Sequence, residues 1–384
     1  MDATKDDDRG QLQRVGSQRI TRRTLLKGLA GLTTLSVLGQ ACQTAQPAAP
    51  QATPTTGAKP TVAAPKAATP AAAASPLVKQ IALAKPRPTK ICWTAVSGAM
   101  SAFWMAHETG AWKEMGIDSD LVHIPSSSRV VAAFEAREID ASILDWVVAF
   151  TSVAAGANGR IVAAITNRQV FSVIGAKGVT KPEDVKGKRF GITRVGSSTH
   201  TASLLALDVW GLKPSDVNFI QLQEVPAILS ALQAGQVDVG TVSPPTNTRA
   251  VKAGFNELIN LAADGPEYPS VGVGTTQELI NNSPEFVRAL VAGYSLGVKR
   301  FRSDPERAVQ VLQKYLKIDD QATLQDTQKQ FSRYLAWPPT VPLKAAQRVL
   351  EDVIKTEPKA AKVKVEQVAT NQFVEELDKM GFFK

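Results

Sequence analysis

Residues 230–245 read SALQAGQVDVGTVSPP, and the way this stretch divides decides the fold. A helix ends, Gly235 makes the turn, residues 237–242 form a short buried strand, and Ser243-Pro244-Pro245 opens another helix. Ninety-eight residues earlier, residues 132–146 read AAFEAREIDASILDW and repeat the pattern, with a strand at 139–144 ending on Asp145-Trp146. A shift of 98 pairs Gly98 with Gly196, Trp112 with Trp210, Asp118 with Asp216 and Ala133 with Ala231. It also pairs Ala136 with Ala234, Asp140 with Asp238, Ala155 with Ala253 and Gly156 with Gly254, without a gap. A constant offset that matches glycine to glycine at turns implies two related α/β lobes, with the function between them.

The chain has 384 residues and a net charge of +9. Residues 1–90 hold 13 of its 44 basic and 4 of its 35 acidic residues, so residues 91–384 carry 31 of each. The positive excess therefore says nothing about the ligand, and it gives no support to nucleic-acid binding. The excess sits in a leader. Thr21-Arg22-Arg23-Thr24-Leu25-Leu26-Lys27 precedes an apolar run, 28–39, that is too short to span a bilayer core of about 30 Å. This leader, residues 1–42, resembles a twin-arginine export signal with a lipoprotein cleavage site, although Gly39 stands where Leu is usual. The resemblance implies that Cys42 becomes the lipidated first residue of the mature protein; a non-lipidated signal is the alternative. Residues 43–88 follow as a tether. Nearly all Ala, Pro, Thr and Gln up to residue 76, it lacks the apolar surface needed to offset its ordering entropy and is expected to be disordered. With Cys42 lipidated, Cys92 has no disulfide partner and reads as a small core residue.

From residue 89 strands and helices alternate, as in a mainly parallel sheet with helices on its faces. Strands are expected at 90–96, 121–124, 139–144, 161–165, 171–176, 188–195, 218–223, 237–242 and 271–275. Beyond Pro284 the chain reads as helical, with prolines at the boundaries. The expected organisation is a first lobe from 89–170 plus 270–384 and a second from 171–269, joined by two crossings.

These residues resemble the extracytoplasmic solute-binding proteins of ABC importers, in the group that binds nitrate, sulfonates, taurine and thiamine precursors. The resemblance rests on His107-Glu108-Thr109-Gly110-Ala111-Trp112 with Glu114-Met115-Gly116-Ile117, and on Ala133-Phe134-Glu135-Ala136-Arg137-Glu138-Ile139-Asp140. It rests equally on Pro182-Glu183-Asp184-Val185-Lys186-Gly187-Lys188 and Ala231-Leu232-Gln233-Ala234-Gly235-Gln236-Val237-Asp238, and Arg137 replaces the glycine usual at its turn. It implies a two-lobed type II periplasmic-binding-protein fold and a monomer that closes on a small-molecule solute. It also implies delivery to a permease and its ATPase, without a cofactor. A sensory or docking lipoprotein without a transport role is the alternative.

In open α/β sheets ligands sit beyond the carboxyl ends of the strands. The loops there pair at the same offset: Ser97-Gly98 with Val195-Gly196, Ser126-Ser127 with Glu224-Val225, and Asp145-Trp146 with Ser243-Pro244. Gly196, Ser197, Ser198 and Thr199 place small residues at a helix N-terminus, where backbone N–H groups and the helix dipole favour an anion. An ordinary N-cap cluster is the competing reading, there and at Ser97–Ser101 and Ser126–Ser128. Trp104, Trp146, Phe171 and Tyr268 are candidate walls, and Arg168 and His200 candidate partners of an anion. Asp140 and Asp238 read as turn carboxylates. His107, His123 and His200 form no metal-spaced pair, and HExxH, CxxC, GxSxG and GxxxxGK[ST] are absent, which argues against an enzyme. The expected solute is a small organic anion, sulfonate or aromatic carboxylate, with an uncharged pyrimidine-like solute as the alternative.

Overall fold

The structure is a computed structural model that describes residues 76–384. The leader, Cys42 and the tether up to residue 75 lie outside the described residues. The first half runs α1 (Pro76–Ile81), β1 (Arg87–Trp93), α2 (Ser101–Glu108), α3 (Ala111–Glu114), β2 (Ile117–His123), α4 (Ser127–Glu135), β3 (Ala141–Asp145), α5 (Trp146–Ala154) and β4 (Gly159–Thr166). The second runs β5 (Ser172–Gly175), β6 (Arg189–Ile192), α6 (Ser198–Val209), β7 (Asn218–Gln221), α7 (Val225–Gln233), β8 (Val239–Val242), α8 (Thr246–Lys252) and β9 (Asn256–Asn260). Then come β10 (Val271–Thr276), α9 (Gln277–Asn282), α10 (Pro284–Ser303), α11 (Pro305–Leu316), α12 (Gln321–Tyr334), α13 (Leu343–Thr356) and α14 (Gln372–Lys379).

Two five-stranded sheets result, ordered β2-β1-β3-β10-β4 and β7-β6-β8-β5-β9. β1 is parallel to β2 and β3, and β6 to β7 and β8. β10 runs antiparallel between β3 and β4, as β5 does between β8 and β9. The 98-residue shift carries β3 onto β8 and β5 onto the start of β10. The two orders are thus one order with β5 and β10 exchanged: the repeat β1 to β5 lends its last strand to the second sheet, and the repeat β6 to β10 lends its last strand to the first. Every residue of β3, β5, β8 and β10 is buried, as expected for strands covered on both faces.

The repeat extends to the turns. Asp140 Oδ2 accepts the Lys90 backbone N–H at 3.0 Å and Oδ1 the Arg87 guanidinium at 3.3 Å. Asp238 Oδ2 accepts the Arg189 N–H at 3.0 Å and Oδ1 its guanidinium at 2.7 Å. These bonds to Arg189 hold the Asp238 carboxyl down at about 2. Both carboxylates therefore stitch a helix–strand turn to the first strand of their own sheet.

The C-terminal helices cover the first sheet. α10 packs along α2 and α3, where Trp112 Nε1 donates to Leu290 O at 3.2 Å, and α13 packs on α5. Phe103 and Phe286 are fully buried in this core, each contributing on the order of 2 kcal/mol through burial. Cys92 is buried too, and burial pushes its thiol up to about 11.

Three expectations need correction. The end of the tether is folded: Pro76 opens α1, whose Ile81 is buried, with Leu77 and Val78 against the same core. These apolar residues lie at helical spacing, which the Ala/Pro-rich average of the segment hides. β9 is a strand the pattern missed, because the run NELIN is polar at its exposed edge. β1 starts and ends three residues before its expected span, since residues 94–96 belong to the loop that follows it.

Gly235 and Arg137 occupy the same turn in the two lobes, with φ of 66° and 57°. A side chain strains this left-handed backbone. Gly235→Ala should lower unfolding stability by about 1 kcal/mol, and Arg137→Gly should raise it by a few tenths to about 1 kcal/mol. Denaturant titration of the two variants checks both signs.

Candidate functional site

The loops beyond the carboxyl ends of β1, β2, β6, β7 and β8 meet between the sheets. There they surround a narrow cavity of about 50 Å³. The lobes touch at this point: Ser243 Oγ donates to Ser97 Oγ at 2.8 Å, and the Gly98 N–H donates to Pro244 O at 3.1 Å. Gly98 has to be glycine, because a Cβ there would lie 2.2 Å from the Phe331 ring.

Two helices point their N-termini at the cavity. α6 begins after Ser197, whose hydroxyl donates to Arg194 O at 2.7 Å and contacts Thr193 and Thr199 hydroxyls at 2.8 and 3.0 Å. Committed to that cluster, it does not cap the helix. The Ser198 and Thr199 N–H groups consequently have no acceptor among the described residues. α4 begins after Ser126, which is held at φ 77° and also provides no side-chain cap; its hydroxyl meets Ser128 Oγ at 2.9 Å. The Ser127 and Ser128 N–H groups likewise lack acceptors among the described residues. A left-handed residue recurs at Gln223, φ 70°, in the matching loop of the second lobe. Both strained residues line the cavity.

Glu224 is the one ionisable side chain among the residues lining the cavity. It precedes α7 without capping it and makes no hydrogen bond or ion pair among the described residues. Burial lowers the pKa of His123, in the other lobe, and the Glu224 charge opposes that shift. Asp145 sits at the base of α5 and is completely enclosed. Its Oδ1 accepts the Val147 and Val148 N–H groups at 2.9 and 3.2 Å, while Oδ2 has no hydrogen-bond partner among the described residues. Burial pushes this carboxyl up to about 6, against the pull of the nearby Ser198 hydroxyl and the two backbone amides.

Of the expected site residues, Ser97, Ser126, Ser127, Ser197, Ser198, Thr199, Glu224 and Ser243 line the cavity, as does Phe171. Gly98 contributes its backbone bond to the other lobe, and Asp145 lies behind the wall. Gly196 forms the turn before α6 and donates its N–H to His200 Nδ1 at 3.1 Å. That bond uses Nδ1 as an acceptor, and burial lowers the pKa of His200; both disfavour a cationic role. Trp104 is sealed in the first lobe, stacked on Tyr315 with centroids 4.8 Å apart, and Trp146 is sealed against Phe150. Arg168 points to solvent, and Tyr268 lines a different groove. Missing from the sequence reading were Thr94, Met100, Thr193, Gln223 and the crossing residues Val170, Ser270 and Val271.

This arrangement of two sheets, two crossings and a cavity lined from both lobes is the two-lobed fold of periplasmic binding proteins. The chain belongs to the NMT1/THI5-like family, whose profile matches residues 98–308. It is 41% identical over 78 residues to the taurine-binding periplasmic protein of Escherichia coli (strain K12), covering 20% of this chain and 24% of that protein. A binding protein of Brucella abortus (strain 2308) is 26% identical over 249 residues, 62% of this chain and 75% of the relative. The alkanesulfonate-binding protein SsuA from Xanthomonas axonopodis pv. citri bound to MOPS superposes with a TM-score of 0.64 at 18% identity, covering 75% of this chain and 99% of that one.

The raised pKa of Asp145 has a definite sign. Between pH 3.8 and about 6 the folded state holds a proton that the unfolded chain has lost, so ionisation of Asp145 erodes stability as pH rises through this window. Asp145→Asn keeps an Oδ acceptor for the helix amides and should remove that pH dependence. Stability at neutral pH should rise by on the order of 1 kcal/mol, as read from denaturation midpoints between pH 4 and 8.

Proposed function

We propose that the cavity captures a small organic anion of the sulfonate or carboxylate class, held between the N-termini of α4 and α6. The observation that carries this reading is the set of N–H groups at Ser127, Ser198 and Thr199, which line one cavity from both lobes without an acceptor among the described residues. An anion bridging them gains contacts with both lobes only when the cleft is closed, so it favours the closed arrangement by differential affinity. The taurine- and alkanesulfonate-binding relatives support the same chemistry. Closed protein would then deliver the solute to a permease driven by an ATPase. In this proposal Arg22-Arg23 directs export and Cys42 carries the lipid that holds the protein at the membrane.

A second reading, an uncharged solute such as a pyrimidine, is favoured by one specific observation: no Lys, Arg or His lines the cavity, and Glu224 does. Thermal unfolding of the protein with alkanesulfonates, aromatic carboxylates, nitrate and pyrimidines separates the two. A ligand at a hundred times its Kd adds about 2.7 kcal/mol of stability. A shift confined to pyrimidines would overturn the anion reading.

The backbone role has its own test. Ser198 is the first residue of α6, where proline is tolerated but removes the N–H. Ser198→Pro should weaken anion binding about tenfold relative to Ser198→Ala, the cost of one charge-assisted hydrogen bond. Equal affinities of the two variants in calorimetric titration would show that this N–H does not hold the anion.

A further inference from the structure

We propose, on the anion reading of the cleft, that Asp145 couples capture of the solute to uptake of a proton: the anion settles at the N-terminus of α6 most readily when this carboxyl is neutral. Asp145 ends β3 in the first lobe and is 1% exposed. Its Oδ1 is occupied by the Val147 and Val148 N–H groups, and Oδ2 has no partner among the described residues. No ion pair among the described residues compensates a charge there, so enclosure favours the acid form.

The other lobe faces this carboxyl. The Ser198 hydroxyl, in the first turn of α6, lies near enough to act on it, and the Ser198 N–H has no acceptor among the described residues. Ser198 lines the cavity and Asp145 does not, so Asp145 acts through Ser198. An anion on that N–H brings a second negative charge to within one residue of Asp145, where little water screens the pair. Like charges so placed raise the carboxyl's pKa by about one unit or more. The surrounding groups do not offset this. Burial holds Tyr268 of the second crossing neutral, Asp352 and Arg348 of α13 act on Tyr268, and Glu224 acts on His123. His200 of α6 has Nδ1 engaged by the Gly196 N–H. By reciprocity, the proton strengthens anion binding as much as the anion strengthens proton binding. The carboxyl starts at about 6 and rises in the complex, so affinity is greatest below that pH and is lost as pH climbs through the two values.

The test is calorimetric titration of the full chain with methanesulfonate, whose own charge is constant, in Bis-Tris and Tris buffers from about pH 5.5 to 8. The parent's affinity is expected to fall about fivefold or more across this range, as a pKa shift of about one unit requires. Asp145→Asn, neutral throughout, is expected to keep one affinity, at least that of the parent at its most acid. A parent affinity independent of pH, or a slope that survives in Asp145→Asn, overturns the proposal and leaves the anion reading standing. Absence of methanesulfonate binding by both proteins at every pH overturns the anion reading, and the proposal with it.

Discussion

The fold depends on the reciprocal loan of β5 and β10. In each sheet the borrowed strand lies between two others and is hydrogen-bonded on both sides. Removing it would leave the buried backbone groups of β3 and β4, or of β8 and β9, without partners, a cost that buried sheets do not tolerate. Neither half can therefore complete its own sheet. The two crossings that follow from this exchange keep the lobes attached while leaving a cleft between the carboxyl ends of their parallel strands. Both the hinge and the cavity are consequences of one topological fact.

Two helix N-termini set the electrostatics of the cleft. α4 follows β2 in one lobe and α6 follows β6 in the other; they are not counterparts under the 98-residue shift, which pairs α4 with α7, yet both begin at the cavity. In both, the residue that would cap the helix has its hydroxyl engaged elsewhere: Ser197 with Arg194 and Thr193, Ser126 with Ser128. The amides are thus left unpaired from opposite walls. Against this positive potential stand two carboxylates, Glu224 at the surface of the cavity and Asp145 behind it. The cleft is polarised rather than simply basic, and formal charge along the chain gives no sign of it.

Much of this was legible from residues alone. The 98-residue offset located the paired strands, the turn carboxylates Asp140 and Asp238, and the matched loops that bring Ser97, Ser126, Ser197 and Ser243 to one cavity. Such features are local: a helix stop, a short apolar run and a small residue before the next helix lie within a few positions of each other. Trp104, Trp146 and Tyr268 were not legible in the same way. An aromatic on a helix or crossing can face the cleft, the core or another groove, and only its neighbours in space choose between them. Trp104 went inward because Tyr315, more than two hundred residues away, offers it a stacking face.

The sequence by itself determined the two-lobed α/β plan and the paired loops, because periodicity and turn chemistry act over short distances. Tertiary structure alone decided which of those loops touch, which N–H groups remain unpaired, that His200 is spent on Gly196, and that Tyr268 serves a separate groove. Those outcomes are set by the exchange of β5 and β10 and by side chains packing across the lobes, and no local pattern carries information about such distant partners.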